Sequence, residues 1–329
     1  MNNTAHNERP LLEIRDLSVT FRTDEGVAHA VSGVSLDIRR GEVLGLVGES
    51  GCGKSVTAMS ILRLIPSPPG EVSSGSIMFH DHDLLRMPIA ELRTIRGDAI
   101  SMIFQEPMDA LSPLHSVGAQ LVEALRFHRR LTPAKARQEA CDWLRRVGIP
   151  GPEERMRAYP HELSGGMRQR VMIAMAMMLR PELLIADEPT TALDVTIQAQ
   201  IFDLIRGMKD EHTSVLLITH DMGVVWEMCS RVAVMYAAEL VEIGTTDEIF
   251  AHPHHPYTRA LLESIPSNTS RGNVLPAIGG EVPSALNYPM GCHFRERCRY
   301  AFDRCAREHP AFYRHGDRAC RCFLAEENP

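Results

Sequence analysis

Long apolar runs are missing from this chain of 329 residues. The longest, Val171 to Leu179, has nine residues, whereas a membrane-spanning helix needs roughly twenty. The stretch Met1 to Pro10 is polar and carries no signal-peptide core. The expectation is a cytosolic protein, free or docked on a membrane partner. Lysine is scarce, with Lys54, Lys135 and Lys209 standing beside 32 arginines. A genomic preference for arginine codons explains the bias and makes the placement of each lysine more informative. Excess positive charge is also missing. The net charge of −7 gives no sign of the basic face that a bulk nucleic-acid binder carries, and no nucleic-acid partner is expected. No internal repeat or low-complexity tract occurs.

What is present reads as an ordinary globular chain, 44% apolar and 23% charged. At roughly 150 residues per domain, the length suggests about two domains. Leu12 to Ile14, Leu17 to Phe21 and Val31 to Ile38 read as strands. The turn at Arg40-Gly41-Glu42 leads into a further strand, Val43 to Val47. A glycine-rich segment and a helical stretch from Ser55 to Leu64 follow, completing one α/β unit. Val117 to Arg130 and Ala134 to Val147 carry apolar residues at helical spacing, with arginines between them. They predict a helical subdomain inserted in the α/β core. Strand signals return at Leu183 to Ala186, Ser214 to Thr219 and Val232 to Tyr236. Near Ile265 the composition turns to Pro, Gly and Asn, which predicts a domain boundary.

Gly48-Glu49-Ser50-Gly51-Cys52-Gly53-Lys54-Ser55 fits the G-x-x-x-x-G-K-S/T pattern, with a strand before it and a helix after it. The glycines let consecutive N–H groups curl around one anion, and the following helix turns its positive end toward it. Lys54 is placed to reach the β- and γ-phosphates and Ser55 to ligate Mg²⁺, with Val56 completing the nucleotide-contacting run. Leu183 to Ala186 delivers Asp187 to a strand end, where this NTPase class holds Mg²⁺. Glu188 is placed to polarise an attacking water. Without the loop, the two acids would read equally well as a solvated strand end. Cys52 lies in the loop and is expected to make the activity sensitive to thiol reagents.

Leu163-Ser164-Gly165-Gly166-Met167-Arg168-Gln169-Arg170 resembles the signature motif of ATP-binding cassette (ABC) proteins. Ser164 and two glycines open an apolar helix, so a hydroxyl and bare N–H groups sit at its positive end. The resemblance covers about residues 11–250 and implies a P-loop ABC-type α/β fold. It also implies that Ser164, Gly165 and Gly166 contact the nucleotide bound to an opposite subunit. By the same resemblance Gln105 is the Q-loop residue, sensing Mg²⁺ and water. Asp194, in Ala192-Leu193-Asp194, belongs to the loop that crosses the dimer interface. His220 is the switch histidine on the γ-phosphate, and Phe21 stacks on adenine. ATP and Mg²⁺ are the implied ligands, with Ser55, Gln105 and Asp187 on the metal.

His255-Pro256-Tyr257-Thr258-Arg259-Ala260-Leu261-Leu262 and the tail around Pro289 to Cys298 resemble the oligopeptide/dipeptide importer ATPases, a group that includes nickel and glutathione importers. One departure is Tyr236-Ala237-Ala238, where that family often has Tyr-Ala-Gly; it is expected to alter a turn and not the chemistry. Five of the eight cysteines fall after residue 291. The gaps of five, six and sixteen residues in Cys292, Cys298, Cys305 and Cys322 match neither zinc-ribbon nor ferredoxin spacing. Zn²⁺, an iron–sulfur cluster and free thiols therefore all remain open from spacing alone. The resemblance favours a [4Fe–4S] cluster on these four, with Cys320 as the alternative fourth ligand.

The expected organisation is an ABC nucleotide-binding domain over 1–265, its helical subdomain at about 106–165, and a small Cys-rich domain over 266–329. The expected function is that of the ATP-hydrolysing subunit of a bacterial importer for di- or oligopeptides or related small solutes. It would sit peripherally on the cytoplasmic face of the inner membrane. Two permease subunits, a second ABC ATPase and a periplasmic or extracellular solute-binding protein are the implied partners. The alternatives are a soluble ABC ATPase of translation or DNA repair, or an exporter ATPase.

Overall fold

A computed structural model describes residues 9–106, 110–190, 195–265 and 278–327. The chain divides into two compact units, residues 1–87 with 219–329, and residues 88–218.

The first unit opens with β1 (Leu12–Thr23) and β2 (Gly26–Ile38), paired antiparallel. Next come β3 (Val43–Val47) and α1 (Lys54–Ile61), then β4 (Gly70–Phe79) and β5 (His82–Asp83). One antiparallel sheet takes the order β2-β1-β4-β5. The strand expected from Val31 begins earlier, at Gly26, because β1 runs long enough to pair its whole length. Phe21 lies on β1 opposite Ala28 on one side and Gly70 on the other.

The second unit begins with α2 (Ile89–Ile95) and β6 (Ile100–Ile103). Helices α3 (Val117–His128) and α4 (Pro133–Arg146) follow within a few residues of their expected ends. Ser116 and Thr132 set their starts by accepting the N–H groups of Ala119 and Lys135. Then come α5 (Pro152–Arg155), a 3₁₀ turn (Pro160–Glu162) and α6 (Gly165–Met177). The unit ends with β7 (Leu183–Asp187), α7 (Val195–Met208) and β8 (Ser214–Ile218). Strands β6, β7 and β8 run parallel with β7 in the middle, and every residue in them is buried. Burial on both faces is why they read as unbroken apolar runs.

Back in the first unit, α8 (Met222–Met228) leads to the hairpin of β9 (Arg231–Tyr236) and β10 (Glu239–Thr245). Helices α9 (Thr246–Ala251) and α10 (Pro256–Glu263) follow. The tail holds α11 (Asp303–Arg307), β11 (Tyr313–His315), β12 (Arg318–Cys320) and α12 (Leu324–Glu327). β3 pairs parallel with β9, and β12 pairs with β10, giving the order β11-β12-β10-β9-β3. The tail, expected as a small domain of its own, thus folds into the unit that carries the glycine-rich loop. Two strands of three residues cannot stand alone, and they gain stability by continuing the β10 edge.

The two-residue connection Ala237-Ala238 joins β9 to β10 with φ of 45° and 69°. A tight hairpin of this kind wants left-handed backbone at both positions and so favours Gly or Asn. Both alanines are buried, the Ala238 N–H donates to the Cys52 carbonyl at 3.2 Å, and the Ala238 carbonyl accepts the Ser32 N–H at 2.9 Å. The departure at this turn therefore places strained backbone directly on the glycine-rich loop.

Candidate functional site

β3 delivers the chain to Gly48 and α1 takes it away at Lys54. Gly53 (φ 106°) is the residue before the helix; a Cβ there would lie 2.3 Å from the Ala30 carbonyl oxygen. At Gly48 (φ 150°) a Cβ would lie 2.2 Å from the Met235 carbonyl oxygen. Both positions demand glycine for conformation and for space. Lys54 is buried, and its ammonium donates to the carbonyls of Gly48 at 2.8 Å and Glu49 at 3.0 Å, closing the loop into a ring. Ser55 and Val56 lie half-buried in the first turn of α1. Ser50 and Gly51 form the loop's outer rim, exposed to solvent or nearly so. Cys52 is fully buried, and burial pushes its thiol pKa up. Both work against the expected thiol sensitivity, because a shielded protonated thiol is a poor nucleophile.

In the second unit Asp187 is the buried last residue of β7, and Glu188 follows it with a left-handed φ of 43°. The Glu188 N–H donates to the Ile218 carbonyl at 2.9 Å, which pins that turn. Gln105 follows closely on β6 and donates from Nε2 to Glu188 Oε2 at 3.3 Å. The structure thus brings Gln105 and Glu188 together. Ser164 N-caps α6, its hydroxyl accepting the Met167 N–H at 3.3 Å. Gly165 has open space where a Cβ would stand, so the helix start offers bare backbone to solvent. Asp194 lies outside the described residues. In the first unit His220 is exposed just before α8, whose N-cap Asp221 accepts two backbone N–H groups. Phe21 is half-buried on β1.

In the tail Cys292, Cys298, Cys305 and Cys322 line one small apolar pocket, walled by Phe294, Phe302, Pro310 and Phe323. The Cys292 N–H donates to the Cys305 carbonyl at 2.9 Å, tying two of these segments together. Burial raises the thiol pKa of Cys292 to about 12 and of Cys322 to about 11, and raises that of Cys298 as well. Cys320 is buried within β12 and does not line this pocket. Beside the β9–β10 turn, His309 Nε2 lies 3.0 Å from the Glu239 carboxylate, and the His293 ring meets the Ala237 carbonyl at 3.1 Å.

Residues 31–191 match the family described as ABC transporter, and residues 241–305 match the oligopeptide/dipeptide transporter C-terminal region. A dipeptide transport ATP-binding protein of Bacillus subtilis is 48% identical over 96% of this chain and 95% of its own length. The chain belongs to the ABC transporter family. A probable peptide ABC transporter ATP-binding protein of Sinorhizobium fredii is 52% identical, covering 91% of this chain and 90% of that one. Among solved structures, a dimeric ATP-binding cassette in a post-hydrolysis state with ADP and Pi aligns with TM-score 0.64 and 27% identity. That alignment covers 71% of this chain and 98% of the other. The protein is an ABC ATPase of the cassette fold, and its glycine-rich loop lies within the residues matched to the ABC transporter family.

Three residues of this cassette were not singled out from the sequence. Buried Gln169, on α6, donates from its carboxamide to the Pro189 carbonyl, linking the helix that Ser164 opens to the turn after Glu188. Tyr257 is buried, and its hydroxyl accepts the Glu49 N–H of the glycine-rich loop at 2.9 Å. Its His-Pro-Tyr motif was visible in the sequence as a likeness, but the contact spans 208 residues and leaves no local pattern. Arg297, beside Cys298, pairs with the Glu49 carboxylate.

Proposed function

We propose that this cassette is the ATP-hydrolysing subunit of an importer for di- or oligopeptides or related small solutes. It would sit peripherally on the cytoplasmic face of the cell membrane with two permease subunits, a second cassette and a solute-binding protein. The observation that carries this reading is the joint match of cassette and C-terminal region along one chain, with relatives named for peptide transport over more than nine-tenths of it. Among the described residues no helix is long and apolar enough to cross a membrane, which fits a subunit that borrows its membrane path from partners.

Glu188 is assigned as general base for the attacking water. Gln105, within hydrogen-bond reach of it, orients that water and reports its presence. Lys54 and His220 hold the γ-phosphate charge. Phe21 provides the stacking face for adenine. Ser164, Gly165 and Gly166 of one cassette, together with Asp194, meet the nucleotide of the opposite one. Ser55 in the first unit, and Asp187 and Gln105 in the second, each offer an oxygen donor of the kind a hard cation prefers. Mg²⁺ on these residues would neutralise phosphate charge.

The four pocket-lining cysteines are assigned to a [4Fe–4S] cluster, with Cys322 as fourth ligand in preference to Cys320. Among the described residues no three cysteine sulfurs lie within 4.8 Å of one another. A single tetrahedral zinc would draw its thiolates to about 3.8 Å apart, given Zn–S bonds of about 2.3 Å. Four thiols gathered on one apolar pocket are a soft donor set of the kind that holds an iron–sulfur cluster. Bound there, the cluster supplies a covalent staple for a segment with little core of its own.

The test is anaerobic affinity purification of the tagged protein from detergent-solubilised membranes, with mass spectrometry and iron analysis. Two multispanning permeases and a second cassette are expected. Ribosomal or DNA-repair proteins without a permease would overturn the importer reading.

A further inference from the structure

We propose that Arg297 is a positioning residue of the ATPase. Through Glu49 it sets the phosphate loop, so that the C-terminal tail forms part of the nucleotide-binding machinery.

The geometry is that of a designed clamp. Arg297 Nη1 lies 2.7 Å from Glu49 Oε2, and Nη2 lies 2.9 Å from Oε1. This is a two-armed pair, which fixes direction as well as distance. The remaining donors are also used. Nε donates to the Gly279 carbonyl at 2.9 Å, and Nη1 reaches the Tyr236 hydroxyl at 3.3 Å. The side chain is only 4% exposed. An arginine so enclosed and so fully bonded holds one orientation, and lysine cannot reproduce it.

Glu49 is the residue through which this orientation passes. It is the second residue of the phosphate loop. Its carbonyl accepts the Lys54 ammonium, its N–H is held by Tyr257, and its carboxylate is held by Arg297. Three separate groups of Glu49 are thus anchored, two of them by residues from beyond β10. The phosphate-loop pattern leaves this position free, so the pattern itself does not call for a carboxylate. A bare carboxylate beside a polyphosphate would repel it. Paired with Arg297, the same group becomes a handle and its charge is neutralised.

The contact can therefore be tested by a double-mutant cycle. The measurement is ATPase kinetics of the assembled transporter. Arg297→Gln should raise KM for ATP tenfold or more, with a smaller change in kcat, because it releases the Glu49 carboxylate from its anchor. Glu49→Gln breaks the same clamp from the loop side, so it and the double variant should raise KM by the same factor, within threefold, and not by the product of the two. A tail that merely needs Arg297 to fold would leave Glu49→Gln near wild type. An unchanged KM in Arg297→Gln or in Glu49→Gln, or effects that multiply in the double variant, overturns the proposal. If the Arg297→Gln chain does not assemble, Arg297→Lys carries the test. A KM at least threefold higher with an unchanged melting temperature is expected, and a wild-type KM overturns the proposal.

Discussion

The Gln105 carboxamide donates to the Glu188 carboxylate across 3.3 Å, joining the segment after β6 to the end of β7. Glu188 is held there by left-handed backbone at φ 43° and by its N–H bond to Ile218. Strain of this kind persists where surrounding structure over-determines it, and functional sites are where it collects. Replacing Glu188 by Gln keeps the size and a hydrogen-bonding oxygen but removes the basicity. ATP binding should survive, and turnover should fall by roughly 10²–10⁴-fold, the usual worth of a general base. Steady-state ATPase of the assembled complex, with KM reported beside kcat, checks this. Near-normal kcat would remove Glu188 from the role.

The hairpin turn offers a second test. Ala238 sits at φ 69° with its N–H on the Cys52 carbonyl. Left-handed backbone costs an L-residue about 1–2 kcal/mol, and losing a buried methyl costs about 0.8 kcal/mol. The two effects offset, so Ala238→Gly should change stability by less than about 1 kcal/mol. Ala238→Val places a β-branched residue where it is a genuine outlier and should destabilise by about 2 kcal/mol or more. Denaturation of the two variants side by side decides the point. Equal stability of the Gly and Val forms would show that the turn carries no strain.

His255 gives the pH dependence. Burial holds its imidazole neutral, with a pKa near 4 against an ordinary 6.5. Its Nδ1 accepts the Tyr257 N–H at 3.0 Å and so N-caps α10. Above pH 6.5 the ring is neutral in both folded and unfolded chains. Between 6.5 and 4 the unfolded chain takes up the proton first, so stability falls as pH drops, by about 3 kcal/mol across the window. His255→Asn, which keeps an acceptor for the cap, should flatten the melting temperature over that range. A wild-type slope in this variant would place the pH sensitivity elsewhere.

The tail cysteines separate by place. On the cluster assignment proposed above, the wild-type protein should purify with iron, and Cys298→Ser should lose most of it and make the tail cleavable by protease while the cassette stays folded. Cys320 lies in β12, away from the pocket, so Cys320→Ala should keep its iron. Iron content after anaerobic purification and limited proteolysis read both effects. Full iron in the Cys298 variant would sink the ligand assignment.

Much of the cassette was legible because its signals are local. β3 and the phosphate loop, and β7 with its two acids, are contiguous segments whose burial and turn chemistry are written in adjacent residues. β4 was not anticipated: it carries Ser73, Ser74 and Gly75 in its middle, and what holds it is long-range pairing along β1, with only Met78 and Phe79 paired to β5. β11 and β12 were missed for a related reason, since three-residue strands have no pattern of their own. The roles of Tyr257 and Arg297 were hidden more deeply. Each depends on a contact with Glu49 across 208 or 248 residues, and no window of sequence displays that.

The span from Glu49 to Arg297 also sets an order of events during synthesis. The phosphate loop leaves the ribosome early, and its anchor arrives 248 residues later. At about 5–20 residues per second that delay is roughly 12–50 seconds. Until then the loop lacks one of its three holds. A chain still short of Arg297 therefore carries a glycine-rich loop that its last anchor has not yet reached.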